Sequence, residues 1–150
     1  MLHALLATVV LSQARLPTSD RGTLTLPEPL TFETGSARLA AATAELLPLV
    51  KGHLEATPSL TTLRIEGHTE AGTPKAQALS EARALAVAKA LVALGVDCHR
   101  LLPVGFGASK PIAQRGNARV DLVNAALRGR PIGGMPVDGG GKVAGDPCLR

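Results

Sequence analysis

A carboxylate and a guanidinium thirteen positions apart, Glu70 and Arg83, are the side chains of this sequence best suited to recognition chemistry. A carboxylate accepts hydrogen bonds from ammonium groups, and a guanidinium donates two parallel hydrogen bonds to a carboxylate. Residues 63–84 read as a strand, a polar turn and the start of a helix, which should bring the two groups near one another. They then form either a polar binding site or a plain surface ion pair.

The elements that must position this pair have clear signals. Residues 61–65 alternate between apolar and polar side chains, which predicts a half-buried strand, and the polar turn begins at His68. Thr73 is expected to cap the following helix and Pro74 to occupy its first position. Gly95 is expected to end that helix.

The segments before this unit predict another strand and another helix. Apolar residues of one parity in residues 23–32 indicate a strand, but Pro27 and Pro29 favour an edge strand or a strand with a break. Helical spacing places a helix within residues 40–57. Pro48 lies inside it, so its regular part is expected to start late.

The segments after this unit predict two further strands, over residues 101–104 and 120–127. Beyond Arg128, ten of the last twenty-two residues are Gly or Pro, which predicts an irregular tail. Strands and helices alternate along the chain up to a final strand. This order predicts an α/β sandwich in which the helices pack on a small mixed sheet.

Other chemistry finds little support in the sequence. Glu66, His68 and Glu70 alternate and could share one strand face, but three such ligands without a second motif do not predict a metal site. Residues 105–110, GFGASK, lack the third glycine of a dinucleotide fingerprint. The sequence contains neither a G-x-S-x-G nor an S-x-x-K nucleophile motif. A non-catalytic protein without a cofactor or a metal is therefore expected.

The composition limits the size and the partners of the protein. A chain of 150 residues with 45% hydrophobic content fits one domain with one core. Its net charge is +4, yet its basic residues are scattered rather than clustered. It has two Phe and no Trp or Tyr, so the aromatic side chains that stack on bases are scarce. Nucleic acid is not expected as a partner.

The first residues predict export from the cytoplasm. Residues 1–14 contain an apolar run followed by small residues, which is typical of a cleaved signal peptide and too short for a transmembrane segment. Residues 15–22 are polar and are expected to form a linker. In an oxidising compartment Cys98 and Cys148 would form a disulfide, whereas in a reducing one they would remain free thiols. The bridge would close a loop of about 50 residues and be worth about 4 kcal/mol.

Several motifs in order resemble one known family, the OmpA-like C-terminal domain, a peptidoglycan-associated module. The matching segments are LPEPLTFETGSA at 26–37, IEGHTE at 65–70, LSEARA at 79–84, GVDCHRLLPVGFGASKPI at 95–112 and NARV at 117–120. Several ordered motifs together are more specific than any one of them. The resemblance implies a family domain over residues 23–128, followed by the tail at residues 129–150.

The resemblance also implies a ligand, the diaminopimelate residue of the peptidoglycan stem peptide. By motif position Glu70 would accept the ammonium group of this residue, and Arg83 would hold its carboxylate. Arg119 would be an auxiliary cationic contact and Thr69 a hydrogen-bond donor. The implied location is the periplasm, in association with the outer membrane. The alternative is a scaffold of the same fold that has lost this ligand and binds an envelope protein.

Three features distinguish this chain from the family pattern. Glu70 stands where the family has an aspartate, and Ala76 stands where it has an asparagine. The interval from Glu70 to Arg83 is also shorter than in the family. Glutamate extends the carboxylate by one bond, about 1.5 Å.

Overall fold

The computed structural model describes residues 15–110 and 118–149, which fold around a five-stranded mixed sheet. The elements in chain order are α1 (Ala41–Ala56), β1 (Leu60–His68), α2 (Ala76–Ala93), β2 (Leu101–Gly105), β3 (Arg119–Leu127), β4 (Arg130–Pro131) and β5 (Lys142–Val143). The strand order is β4-β3-β1-β2-β5, with β1 parallel to β2 and antiparallel to β3. The prediction of an α/β sandwich with helices packed on a small mixed sheet is confirmed.

The core lies between the helices and one face of the sheet, and it is aliphatic. Leu63 and Ile65 of β1 are fully buried, and they face a helix surface of small and branched side chains such as Ala84 and Val87. Gly67 permits this close packing, because a Cβ atom at this position would lie 2.0 Å from the backbone oxygen of Ser80 in α2. The sequence therefore places a glycine where the helix crosses the strand most closely.

The predicted first strand over residues 23–32 is not a regular strand. It forms single bridges instead, from Thr23 to Val123 of β3 and from Phe32 to Leu39. Pro27 and Pro29 carry no amide hydrogen and cannot continue a ladder. The break anticipated at the prolines thus removes the regular strand altogether.

Helix α1 runs without interruption across Pro48, so the predicted late start is wrong. Ala44, the residue whose carbonyl loses its amide partner at Pro48, is exposed, as is Pro48 itself. Water can therefore satisfy that carbonyl. Leu47 and Val50 on the opposite side are buried and hold the helix on the core.

Helix α2 begins later than predicted. Its first residue is Ala76, and the preceding Lys75 adopts a left-handed conformation with φ of 53°. Thr73 and Pro74 lie in the turn before the helix, so neither the predicted cap nor the predicted first position is correct. The left-handed residue Lys75 thus lies within the interval between Glu70 and Arg83.

Residues 15–22, predicted as a linker, pack on the domain. The amide of Leu16 donates to Nδ1 of His53 at 3.0 Å, and Nε of Arg15 donates to the carbonyl of Ala56 at 3.3 Å. The side chain of Leu16 also packs against the core. The packing of Leu16 and the two hydrogen bonds to α1 hold this segment on the domain, so it is not a free linker.

The glycine-rich tail was expected to be irregular, but it crosses one sheet face and joins both edges. β4 pairs with β3 at one edge, and β5 pairs with β2 at the other. Between them, the carbonyl of Val137 accepts from Nη1 of Arg64 at 3.0 Å. Gly139 has φ of +62°, and a Cβ atom there would lie 2.7 Å from Cζ of Arg64. Glycine is thus what allows the tail to lie this close to the sheet.

A disulfide joins the tail to the start of β2, as predicted. It links Cys98 to Cys148, with 5.1 Å between their Cα atoms and 50 residues between them in sequence. The predicted signal peptide, residues 1–14, lies outside the described residues. Of the helices in residues 15–110 and 118–149, none has both the length and the apolarity to cross a bilayer.

Candidate functional site

Arg83 lies on α2 and contacts the N-terminal segment, which we define as residues 15–40, before α1. Its Nε donates to the carbonyl of Ser36 at 2.9 Å, and its Cζ lies 5.1 Å from the centroid of the Phe32 ring. Burial lowers the pKa of Arg83 below its usual value, although a guanidinium remains protonated at neutral pH. The terminal nitrogens of this guanidinium have no hydrogen-bond partner among the described residues.

Glu70 is the second residue after β1 and is exposed. Its Oε1 accepts a hydrogen bond from the amide of Ala118 at 3.3 Å, which fixes the carboxylate beside the start of β3. Within the described part of the chain, no ion pair joins Glu70 to Arg83. The structure of the described residues therefore does not contain the surface ion pair that was the alternative for these two side chains.

Arg83 lines a shallow pocket of about 200 Å³, which we call the Arg83 pocket. Its lining residues come from three parts of the chain: Leu30, Thr31, Phe32, Arg83, Ala118 and Arg119. Glu70 is not one of these residues, but its carboxylate is bonded to one of them, Ala118. The arrangement places a fixed cation inside the pocket and an anchored carboxylate beside it.

Arg119, the predicted auxiliary cation, also lines the Arg83 pocket. Its Nε donates to Oδ2 of Asp121 at 2.9 Å, and its Nη2 donates to the carbonyl of Lys110 at 3.2 Å. These bonds orient the guanidinium and neutralise part of its charge. Arg119 thus forms part of the pocket wall, and its ion pair with Asp121 offsets part of its positive charge.

Thr69, the predicted donor, is only 2% exposed. Its amide donates to the carbonyl of Gly107 at 2.8 Å, and its hydroxyl donates to the carbonyl of Ala76 at 3.4 Å. Both bonds are internal to the protein. The structure therefore places Thr69 as a support of the turn that carries Glu70.

Sequence reasoning missed the contribution of the N-terminal segment to the pocket. Phe32 supplies an aromatic face to Arg83, and Ser36 supplies the carbonyl that orients it. Aromatic side chains are scarce here, since Phe32 is one of only two phenylalanines and the chain has no Trp or Tyr. That scarcity was the available signal, because a lone aromatic residue before a polar turn can be a partner for a cation.

A buried polar cluster lies on the sheet face opposite the helices. Glu66 pairs with Arg64, and its Oε1 lies 3.1 Å from Nε2 of His68. The ring of His68 stacks on Phe106 with a centroid distance of 5.2 Å. Burial raises the pKa of Glu66, but the hydrogen bonds from His68 and Arg64 outweigh this and hold the pKa below its usual value. The cluster stabilises the end of β1, two residues before Glu70.

The cluster includes three side chains whose ligand atoms lie within 4.8 Å of one another, those of Glu66, His68 and Asp121. Each carboxylate already has a guanidinium partner, since Arg64 pairs with Glu66 and Arg119 pairs with Asp121. A divalent cation would have to displace or compete with these two fixed positive charges. The residues present therefore suit an internal ion-pair network better than a metal site.

Comparison with known proteins agrees with the resemblance noted from the sequence. The sequence profile of the OmpA family matches residues 31–124. The protein named "Probable lipoprotein YiaD" from Escherichia coli strain K12 is 36% identical over 101 residues, covering 66% of this chain and 46% of that protein. This chain thus spans about half the length of that relative.

Solved structures show the same fold. The peptidoglycan-associated lipoprotein of Burkholderia pseudomallei is 28% identical with a TM-score of 0.56, covering 64% of this chain and 89% of that one. The OmpA-like domain of FopA1 from Francisella tularensis is 21% identical with a TM-score of 0.60, covering 79% and 94%. The periplasmic domain of Helicobacter pylori MotB is 17% identical with a TM-score of 0.59, covering 73% and 87%. These last two support the fold alone.

Proposed function

Because this chain belongs to the OmpA family, we propose that it is a non-catalytic protein of the periplasm that binds peptidoglycan through the Arg83 pocket. The ligand is the diaminopimelate residue of the stem peptide. Glu70 accepts the ammonium group of this residue, and Arg83 binds its carboxylate. Association with the outer membrane belongs to the same proposal, and an envelope protein as the partner is its alternative.

The observation that carries the proposal is the way in which Arg83 is held. Its Nε is bonded to Ser36 and its flat face lies beside Phe32, while the terminal nitrogens have no partner among the described residues. A guanidinium in this state has lost much of its freedom before the ligand arrives, so less entropy is lost on binding. Two parallel hydrogen bonds to a carboxylate use its remaining donors.

The carboxylate of Glu70 complements this cation. Its Oε1 is bonded to the amide of Ala118, and Oε2 has no partner among the described residues. Oε2 can therefore accept a hydrogen bond from an ammonium group. The longer glutamate side chain offsets the shorter turn before α2, because it carries the carboxylate about 1.5 Å further than aspartate would.

The strength of such a site follows from its few contacts. A hydrogen bond to a charged group contributes about 1.5–3 kcal/mol, and less where water reaches it. Two or three of them give weak affinity for one stem peptide. Peptidoglycan repeats its stem peptide many times, so a protein held near the wall rebinds at high effective concentration.

The test is co-sedimentation of the purified protein with diaminopimelate-type peptidoglycan sacculi. We expect the wild type to sediment with the sacculi and Arg83→Ala to remain in the supernatant. Arg83→Lys should bind more weakly than the wild type, because an ammonium cannot form the paired hydrogen bonds. Arg130→Ala is the matched control, since Arg130 is an exposed arginine of β4 outside the residues that line the pocket.

Two results would contradict the proposal. One is a wild type that does not sediment, which would turn attention to the alternative of an envelope protein as the partner. The other is equal sedimentation of Arg83→Ala and Arg130→Ala, which would assign retention to general positive charge. Sacculi whose stem peptides carry lysine in place of diaminopimelate test the ligand itself, and we expect the wild type to bind them poorly.

A further inference from the structure

A larger groove adjoins the Arg83 pocket, with a volume of about 400 Å³. It lies between the N-terminal segment and β3, and we call it the β3-edge groove. Its lining is mostly apolar and consists of Leu24, Leu26, Glu28, Pro29, Leu30, Arg119, Val120, Asp121 and Leu122. Leu30 and Arg119 line both the groove and the Arg83 pocket, so the two are continuous.

The groove exists because the N-terminal segment leaves β3 early. The amide of Leu24 donates to the carbonyl of Leu122 at 2.8 Å, and the amide of Asn124 donates to the carbonyl of Gly22 at 2.9 Å. After Leu24 the prolines at 27 and 29 cannot donate to a ladder, and the segment separates from the strand. The sequence thus leaves a gap along β3 where a regular strand would otherwise lie.

The edge of β3 that faces this gap carries unused hydrogen-bonding groups. Both polar groups of a strand residue point to the same side, and every second residue shares that side. The bonds of Leu122 and Asn124 to the N-terminal segment show that these residues and Val120 point away from β1. The amide of Leu122 and both backbone groups of Val120 have no partner among the described residues.

Resting on the function proposed above, we propose that the β3-edge groove binds the stem-peptide residues adjoining the diaminopimelate. These residues lie along Val120–Leu122, and their peptide groups bond the open amides and carbonyl of the edge. The open edge is about 7 Å long, which accommodates two residues.

The occupant follows from the continuity of the groove with the Arg83 pocket. A stem peptide whose diamino acid lies against Arg83 has its neighbouring residues at Leu30 and Arg119, where the groove begins. A peptide backbone also satisfies the unused amides, whereas a sugar or a lipid chain would not pair with them in register. The site therefore distinguishes a peptide-linked diamino acid from the free one.

The experiment compares the affinities of free meso-diaminopimelate and of a synthetic stem tetrapeptide, measured by NMR titration of the wild type and two variants. We expect the tetrapeptide to bind about tenfold more tightly, the effect of one to two added hydrogen bonds. Leu26→Trp fills the groove and should abolish this difference while leaving the affinity for free diaminopimelate unchanged. Leu49→Trp, at an exposed position of α1, is the control and should behave as the wild type.

A second readout does not depend on a variant that folds correctly. On addition of the tetrapeptide, hydrogen exchange at the amides of Val120 and Leu122 should slow, and free diaminopimelate should leave it unchanged. Equal affinities of the two ligands for the wild type, or unchanged exchange at both amides, would overturn the groove proposal and leave the proposed function standing. Binding of neither ligand would overturn both.

Discussion

Glu66 places Oε1 3.1 Å from Nε2 of His68 while its other oxygen pairs with Arg64, all within the sheet face that the tail covers. The side chains of Glu66 and Arg64 are 8% and 10% exposed. Replacement of one partner in such a pair leaves the other charge buried without compensation. We therefore expect Glu66→Gln to destabilise the protein by about 3 kcal/mol or more, measured by urea unfolding at neutral pH.

The same carboxylate makes stability depend on acid pH. Its pKa in the folded protein lies below the usual 4.5, so the folded state holds fewer protons than the unfolded state as pH falls. The contribution is fully present above that usual value and is lost as pH falls through the pKa of the folded state. Unfolding free energies measured across this range should fall more steeply for the wild type than for Glu66→Gln. Parallel curves would contradict the assignment.

His53 should produce a second pH dependence, at milder pH. Burial lowers its pKa from 6.5, and the charges of Arg15 and Arg100 add to this, against a raising effect of the nearby Asn124 side chain. The neutral ring accepts the amide of Leu16, and protonation at Nδ1 would break that bond. The stability that the neutral ring contributes is fully present above pH 6.5. It is lost as pH falls toward the pKa of His53 in the folded state, which is lower than 6.5.

The measurement for His53 compares the wild type with His53→Asn. The asparagine oxygen can still accept from Leu16 but does not titrate. We expect the wild type to lose more unfolding free energy than the variant between about pH 7.5 and pH 5. An equal loss in the two proteins would show that other groups cause the dependence.

The disulfide should be a main contributor to stability. It closes a loop with a sequence separation of 50, for which the chain-entropy model gives about 4 kcal/mol. A double variant, Cys98→Ser with Cys148→Ser, should unfold at a lower urea concentration by a corresponding amount. Reductant should shift the wild type to the same midpoint and leave the double variant unchanged. A wild type that does not respond to reductant while the double variant is destabilised would point to the serines themselves.

Two glycine substitutions should have opposite effects. Gly67→Ala places a Cβ atom 2.0 Å from the backbone oxygen of Ser80, so α2 must move from the sheet, at a cost of about 3 kcal/mol or more. Gly52→Ala lies in α1 with nothing within 4 Å of the new atom, and should stabilise by about 0.5–1 kcal/mol. Thermal unfolding of both variants checks this, and a neutral Gly67→Ala would contradict the close packing.

The part of the fold that sequence predicts well is the part governed by local periodicity. Alternation of apolar and polar residues predicts β1 and β3, and a short apolar run predicts β2. The interruption at Pro27 was also visible. The structural result is a single bridge at Thr23 followed by a groove. The path of the chain after Pro27 decides this result, and no local sequence pattern specifies that path.

The features that the sequence did not predict depend on contacts between residues far apart in the chain. Arg64 and Glu66 alternate with apolar residues, which places them on the sheet face away from the helices, but residues far along the chain bury them there. A glycine-rich segment predicts an irregular tail by composition, although here Gly139 is what permits close contact with Arg64. In the Arg83 pocket the charged residues were predictable, whereas the orienting carbonyl of Ser36 was not.

The bond between Cys98 and Cys148 closes a covalent ring that contains β2, β3, β4 and β5. Cleavage of one peptide bond anywhere in this ring opens it without separating the chain into two molecules. Ala118 and Arg119 lie inside the ring, and Glu70 and Arg83 lie outside it. A protease that nicks the ring therefore leaves both halves of the pocket in one molecule, and after a cut between Cys98 and Ala118 only the disulfide joins them.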